Sequence, residues 1–575
     1  MGEALHEVTR RRGGGLLSAA PALTVGVFLL PVAAGLAGTL LPAFGYLPAI
    51  GGDALGLDGF RRLGAYPGFV TSVAVTVGTG MAASLLAVAI VLALCAYAHG
   101  RPWQARLSAW LAPVLATPHS ALAIGLAFLL APSGWIARLV SPWLSGWTLP
   151  PDVATVGDPW GVALVLALLV KEVPYLVLMV AGALNQVPAR EHVTAARALG
   201  YSRVEAWLKV VLPQVYPQIR LPIFAVVAFS LSVVDVALVV GPSNPPTLAV
   251  LAVRWFTDAD IGLYFQAAAA ATLLLAIVVA AIAVWYGIER VVARAGRRWI
   301  ARGVRDGALA AGARGGAALF FALSAAAVAA LAGMVLWSFA AQWRFPDALP
   351  SAWSLANGLR RLDGLAGPTT TTLAVGVLAT AIALALVVGC LENESRSRRP
   401  AGPSALWLLY LPLLVPQVAF LFGAQVLLVR AGFDGALAAV VWAHLVFVLP
   451  YLFLSLADPW RAFDPRYARS AAGLGATPAR VLFGVKLPIL MKPVLIACAV
   501  AFAVSVGQYL ATLFAGNGRV ATLTTEAVTL AAGADRRVIG AYAVAQAALP
   551  LVAYVAAVAI PALLYANRRG LGGRS

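Results

Sequence analysis

The chain has 575 residues, of which 61% are hydrophobic and only 11% charged, with a mean hydropathy of +0.88. A soluble domain of this size cannot hide that much apolar surface, so the composition points to an all-α, polytopic membrane protein. The formal net charge of +18 does not mark a nucleic-acid binder, because no folded basic domain accompanies it; basic residues collect in the cytoplasmic loops of membrane proteins.

In chain order, apolar runs near the roughly 20 residues needed to cross a bilayer fall at 16–41, 67–98, 106–131, 159–184, 220–240 and 263–288. A second set follows at 317–340, 368–391, 404–428, 435–457, 493–514 and 539–566. Twelve transmembrane helices in two sets of six are therefore expected. Arg10, Arg11 and Arg12 precede the first run, which is too long for a signal-peptide core and reads as an uncleaved span. The second and third runs of each half are separated clearly only by Arg101 and by Arg396, Arg398 and Arg399. Cys95, Cys390 and Cys498 lie in apolar runs without paired or CxxC spacing, which argues for packing rather than disulfide or zinc chemistry.

Charge orients the chain. With both termini in the cytoplasm, the inner segments hold 29 of the 41 Lys and Arg residues and the outer segments hold 11, as the positive-inside rule requires. The stretch 289–316 carries Arg290, Arg294, Arg297, Arg298, Arg302, Arg305 and Arg314 among Gly and Ala. That composition predicts a flexible tether at an anionic membrane surface, with one half at 1–290, a linker at 291–316 and the other half at 317–575. The outer segments 42–66, 132–158, 241–262, 341–367 and 515–538 are too short for a large domain. Recognition of a solute outside the cell falls to another polypeptide or to the membrane domain itself.

A polar segment occurs twice. Thr194-Ala195-Ala196-Arg197-Ala198-Leu199-Gly200 is followed by Leu212-Pro213, and Arg469-Ser470-Ala471-Ala472-Gly473-Leu474-Gly475 by Leu487-Pro488. Each proline lies 13 residues after its glycine, each copy follows a Pro-Tyr pair (Pro174-Tyr175, Pro450-Tyr451), and the copies are 275 residues apart. Such a repeat means two homologous halves. The pattern predicts a helix-turn-helix, with Gly200 and Gly475 as left-handed stops, Ser202 and Thr477 as caps of the next helix, and each proline turning the chain toward the next span.

These segments, at 186–215 and 458–490, resemble the coupling loop of permease subunits from ATP-binding-cassette (ABC) importers, and the chain resembles a fused double permease of the ferric-iron, thiamine and polyamine group. The stretches Ser505-Val506-Gly507-Gln508-Tyr509 and Thr522-Leu523-Thr524-Thr525-Glu526 are most similar to those of thiamine-type double permeases. The resemblance implies residence in a bacterial inner membrane, a partner cytoplasmic ATPase in two copies, and a periplasmic solute-binding protein. The family's alanine pair falls on Ala195-Ala196 and on Ser470-Ala471. Its glutamate falls on Thr194 and Arg469, so it is missing from both halves; Glu191, Arg197 and Arg469 are left as alternative polar contacts, and docking of two identical ATPases can be unequal.

Ionisable groups inside spans are costly and mark function or local pairing. Lys171 and Glu172 are adjacent and face different sides of a helix, so each either pairs with a neighbouring span or, for Glu172, lines the pathway. Aligning Phe229-Ser230-Leu231-Ser232 with Phe502-Ala503-Val504-Ser505 sets Asp235 opposite Gln508 and Val236 opposite Tyr509. Asp235 is then a candidate to attract a cationic solute, or a hydrogen-bonded structural carboxylate. His444 is expected to bond between helices rather than to ligate metal. None of the four lysines (Lys171, Lys209, Lys486, Lys492) follows a glycine, so there is no phosphate-binding GxxxxGK. ATP hydrolysis belongs to a partner, and neither a metal nor a cofactor is expected. An ion-coupled secondary transporter would also show twelve spans and repeats, but it leaves the paired polar segments unexplained.

Overall fold

The computed structural model describes residues 15–305, 307–354, 362–397, 402–533 and 535–565. Arg10, Arg11, Arg12, Arg360, Arg361, Arg398 and Arg399 lie outside them. In lipid every backbone N–H must find its acceptor within the protein, and the apolar runs do so as helices. The first half comprises α1 (Gly15–Ala43), α2 (Phe69–Ala98), α3 (Leu107–Ala116), α4 (His119–Leu130), α5 (Val162–Leu184), α6 (Ala189–Ala198), α7 (Leu212–Ser232), α8 (Asp235–Val240), α9 (Leu248–Phe256) and α10 (Leu263–Ala301). The second repeats the order as α11 (Leu309–Phe339), α12 (Leu362–Ser397), α13 (Pro403–Leu414), α14 (Val418–Arg430), α15 (Leu437–Arg461), α16 (Pro465–Gly473), α17 (Met491–Val506), α18 (Leu510–Gly516), α19 (Leu523–Ala531) and α20 (Arg536–Leu564). Ten helices among the described residues are long and apolar enough to cross a membrane, or up to 12 with each of two bent pairs taken as one span.

The halves exchange their first helices. α1 packs most extensively on α14, and α11 on α2 and α4. Glycines make both crossings close: a Cβ on Gly423 of α14 would meet the carbonyl carbon of Gly38 at 2.7 Å and the Thr39 nitrogen at 2.8 Å, and one on Gly125 of α4 would meet the Ala330 carbonyl oxygen at 2.7 Å. Small residues permit such backbone approach where lipid supplies no hydrophobic drive. At the opposite end from the repeated segments, Arg138 is buried and donates to the carbonyls of Ser133 (2.9 Å) and Arg344 (2.7 Å), beside the rings of Trp337 and Trp343. Arg536 donates to Ser133 and Arg537 to the Ala341 carbonyl. Arg138 and Arg536 therefore tie the halves together, while the Arg537 contact lies within the second half.

Four sequence expectations change. The third span of each half is two helices, because Pro118 and Pro416 push Thr117 (ψ 131°) and Val415 (ψ 127°) out of the helical region; Trp407–Leu414 and Val418–Arg430 meet at 90°. The fifth span begins earlier, at Leu212, and breaks after Ser232; its counterpart breaks after Val506. The loops 241–262 and 515–538 hold helices α9 and α19, whose apolar faces are buried. The first N–H of each is held by a threonine from the second helix of its half: Leu248 N donates to Thr76 Oγ1 (2.8 Å) and Leu523 N to Thr372 Oγ1 (2.9 Å), α19 also carrying its own Thr522 cap. Finally, the linker is not a free tether. Its Ala- and Arg-rich sequence continues α10 as a 39-residue helix to Ala301, about 58 Å long against a hydrocarbon core of about 30 Å, and α11 begins at Leu309.

Candidate functional site: two docking segments and a polar pathway

Both repeated segments fold alike. A short helix (α6, α16) ends at a glycine in the left-handed region, Gly200 at φ 90° and Gly475 at φ 84°, where an L side chain is strained. The next turn is capped by Ser202, whose Oγ accepts from Glu205 N (3.3 Å), and by Thr477, whose Oγ1 accepts from Arg480 N (3.3 Å). A five-residue π turn follows in each, Trp207–Val211 and Leu482–Lys486, then the proline. Such bulges recur at functional positions because they re-aim side chains. Thr194 and Ala195 are exposed while Ala196 is buried against its own half; Arg469 and Ser470 are exposed and Ala471 half-buried. Pro213 is exposed at the start of α7, and Pro488 is half-buried near the end of Pro478–Ile489, which meets α17 at 80°.

Their supports differ. Around the first segment, residues 299–305 and 307 form a strap. The buried Lys209 ammonium donates to the Val304 carbonyl (2.6 Å) and lies over the rings of Tyr201 (4.7 Å) and Trp299 (4.3 Å). Glu205 accepts from Ser202 N with one oxygen and from Gly307 N (3.0 Å) with the other. Arg305 stacks over Tyr201 at 5.1 Å. The second segment is anchored instead to the end of α12: the buried Lys486 donates to Glu392 (2.9 Å) and Ser395 (3.2 Å) over the Trp460 ring (4.4 Å), and Arg461 pairs with Glu394 (2.7 Å). Helix α16 buries no residue. The Arg466 amide and guanidinium hold the Asp464 carboxyl below its ordinary value. None of these supports was singled out from sequence. The placement of Lys209 and Lys486 four and two residues before the repeated prolines was the signal available. Lys209→Ala removes a buried charge-assisted bond, a loss of about 2–3 kcal/mol, and is expected to free the strap; limited proteolysis within 302–308 should become much faster, with the second segment unaffected.

Within the bundle, Lys171 is consumed locally: its Nζ donates to the carbonyls of Val114 (3.0 Å), Leu115 (3.3 Å) and Thr117 (2.7 Å), the open end of α3. Glu172 is buried on α5 with its carboxylate 4.0 Å from His119 Nε2. Asp235 is half-buried as the first residue of α8. The helix starts set Asp235 against Leu510, two residues from the Gln508 alignment; Gln508 and Tyr509 occupy the α17–α18 break itself. That break is bridged by His444, which bonds Ser505 Oγ (2.8 Å) with one ring nitrogen and Thr512 Oγ1 (2.9 Å) with the other, the interhelical role expected of it. Asp235 and Tyr509 thus fall at corresponding helix breaks of the two halves, whereas Glu172 lies beside the α3–α4 break.

A membrane bundle of two repeated halves, each presenting a capped polar helix-turn-helix between spans, defines a transport permease. The family of the "Binding-protein-dependent transport system inner membrane component" matches residues 86–290. The chain is 33% identical over 521 residues to the Inner membrane ABC transporter permease protein YnjC of Escherichia coli (strain K12), which covers 90% of this chain and 93% of that protein. It is 34% identical over 184 residues to the Molybdenum transport system permease protein ModB of Mycobacterium tuberculosis, covering 30% of this chain and 70% of that protein. The chain belongs to the family of ABC importer permeases of the binding-protein-dependent type: a multi-pass inner-membrane subunit that moves a small solute.

Proposed function

We propose that the chain forms both halves of an importer's pathway, with the two segments docking two cytoplasmic ATPase subunits and a periplasmic binding protein delivering the solute. In this reading the division lies at 291–316, and both termini are cytoplasmic, which places the arginine-rich strap and the docking segments on the ATPase side. Thr194, Ala195, Ala196, Gly200 and Pro213, with Arg469, Ser470, Ala471, Gly475 and Pro488, form the coupling surfaces. The observation that carries the reading is the matched construction of the two segments, down to cap, π turn and proline.

The solute is a cation, and thiamine is the favoured member of the class. Lys171 is tied to three backbone carbonyls at the end of α3, which leaves Glu172 and Asp235 as the candidate acidic groups of the pathway, together with Gln508 and Tyr509 at the α17–α18 break. Ferric iron and polyamines share that sign; the likeness around 505–526 favours thiamine. Uptake of labelled thiamine by cells expressing the chain with its ATPase and binding protein tests this. Asp235→Asn is expected to lower uptake about tenfold, the equivalent of about 1.4 kcal/mol, with ATPase association intact. Unchanged uptake would remove Asp235 from the pathway, and transport of an oxyanion instead would overturn the cationic assignment.

A further inference from the structure

Each docking segment ends in an exposed leucine immediately before its left-handed glycine. Leu199 is 64% exposed and Leu474 89% exposed, although both belong to otherwise well-packed halves. Isolated surface leucines need no explanation, but two at the same position of a repeat, at the apex of matched turns, do. The charges around them match as well, by different routes. Around Leu474 the loop itself carries exposed Arg466, Arg469 and Arg480. Its two acids are both beside arginines, Asp464 at 2.7 Å from Arg466 and Asp458 at 4.0 Å from Arg461. Around Leu199 the loop has exposed Arg190 and Arg197 and one exposed acid, Glu191. The remaining positive charge arrives from the strap: Arg302 and Arg305 are exposed, and the Arg305 side chain lies 3.6 Å from where a Cβ on Gly200 would sit. Lys209 and Glu205 hold the strap in that place.

We propose that both docking faces are basic and leucine-centred, with the strap between the halves completing the first face. The partner that fits is an ATPase whose docking groove is apolar at its floor and rimmed with carboxylates. This rests on the importer reading above and deepens it. It also accounts for Thr194 and Arg469 at the family's glutamate position: a carboxylate there would meet carboxylates. Charge on the rim of an interface acts mainly on association rate and salt dependence, whereas a central apolar anchor acts on lifetime. The two contributions are therefore separable by experiment.

The test is the affinity of the full-length chain in nanodiscs for the ATPase encoded beside it, measured at about 50 and about 300 mM salt, across which surface charge pairs are screened. Wild type should weaken about tenfold across that range. Arg469→Glu with Arg480→Glu, and separately Arg305→Glu, should weaken low-salt binding about tenfold and flatten the salt dependence, while Arg305→Lys restores it. Leu474→Ala should shorten the complex's lifetime with the salt dependence unchanged. Salt-independent binding by wild type, or an Arg469→Glu chain that binds as well or better, would overturn the acidic-groove proposal and leave the importer reading standing. Arginine variants that lose affinity only for nanodiscs' anionic lipid, with ATPase affinity unchanged, would overturn it in favour of a lipid contact. A wild-type chain that binds no ATPase at either salt would overturn the importer reading and this proposal together.

Discussion

Gly200→Glu combined with Gly475→Glu is expected to abolish ATPase co-purification and to reduce solute uptake at least a hundredfold, with the membrane domain still folded. Both glycines sit at φ near 90°, where an L residue is strained by about 1–2 kcal/mol, so each turn that presents Leu199 or Leu474 would distort. The added carboxylates stand at the apex of faces dominated by Arg197, Arg302, Arg305, Arg466, Arg469 and Arg480 and remove the exposed positive character there. The two sites separate these causes. A Cβ on Gly475 meets nothing within 4 Å, whereas one on Gly200 approaches Arg305 at 3.6 Å. Gly475→Ala therefore reports backbone strain alone and should weaken docking far less than Gly475→Glu. Retention of a stoichiometric ATPase by the double glutamate variant would show that these turns are not the docking points.

Gly423→Leu should prevent the halves from assembling. The added side chain begins inside the backbone of α1, 2.7 Å from the Gly38 carbonyl carbon and closer still to the Gly35 carbonyl oxygen. It also evicts Thr39, whose hydroxyl accepts the Gly423 N–H at 3.1 Å. Backbone cannot yield as a flexible side chain can, so the overpacking penalty is at or above the usual upper value of about 3 kcal/mol. The detergent-solubilised chain should lose its monodisperse peak or melt well below wild type. Gly26→Leu on the same α1 meets nothing within 4 Å and serves as the control that should behave as wild type. Gly125→Leu, at the matching crossing of α4 against Ala330, should fail as Gly423→Leu does; a tolerant Gly125 would mean that only one of the two exchanges holds the molecule together.

Local chemistry was legible without coordinates. Apolar run length determined the spans, the repeated spacing from glycine to proline determined that there are two halves, and Ser202, Thr477, Gly200 and Gly475 announced their own caps and stops, since each acts on a backbone group within a few residues. The breaks at Thr117-Pro118 and Val415-Pro416 were readable in principle from the prolines, yet they were masked by continuous hydropathy. What only the tertiary structure decided depends on partners distant in sequence. Helices α9 and α19 look like outer loops in sequence, and Thr76 and Thr372 bind their first N–H groups to the bundle. Asp235 and Tyr509 fall at corresponding breaks of the two halves, and the helix starts, not the sequence alignment, set their register. The arginine-rich stretch 289–316 reads as a flexible tether from composition. It becomes a strap because Glu205 and Lys209, about a hundred residues earlier, satisfy Gly307 and Val304. Composition records how much a segment wants water; it does not record which buried donor or acceptor elsewhere needs that segment.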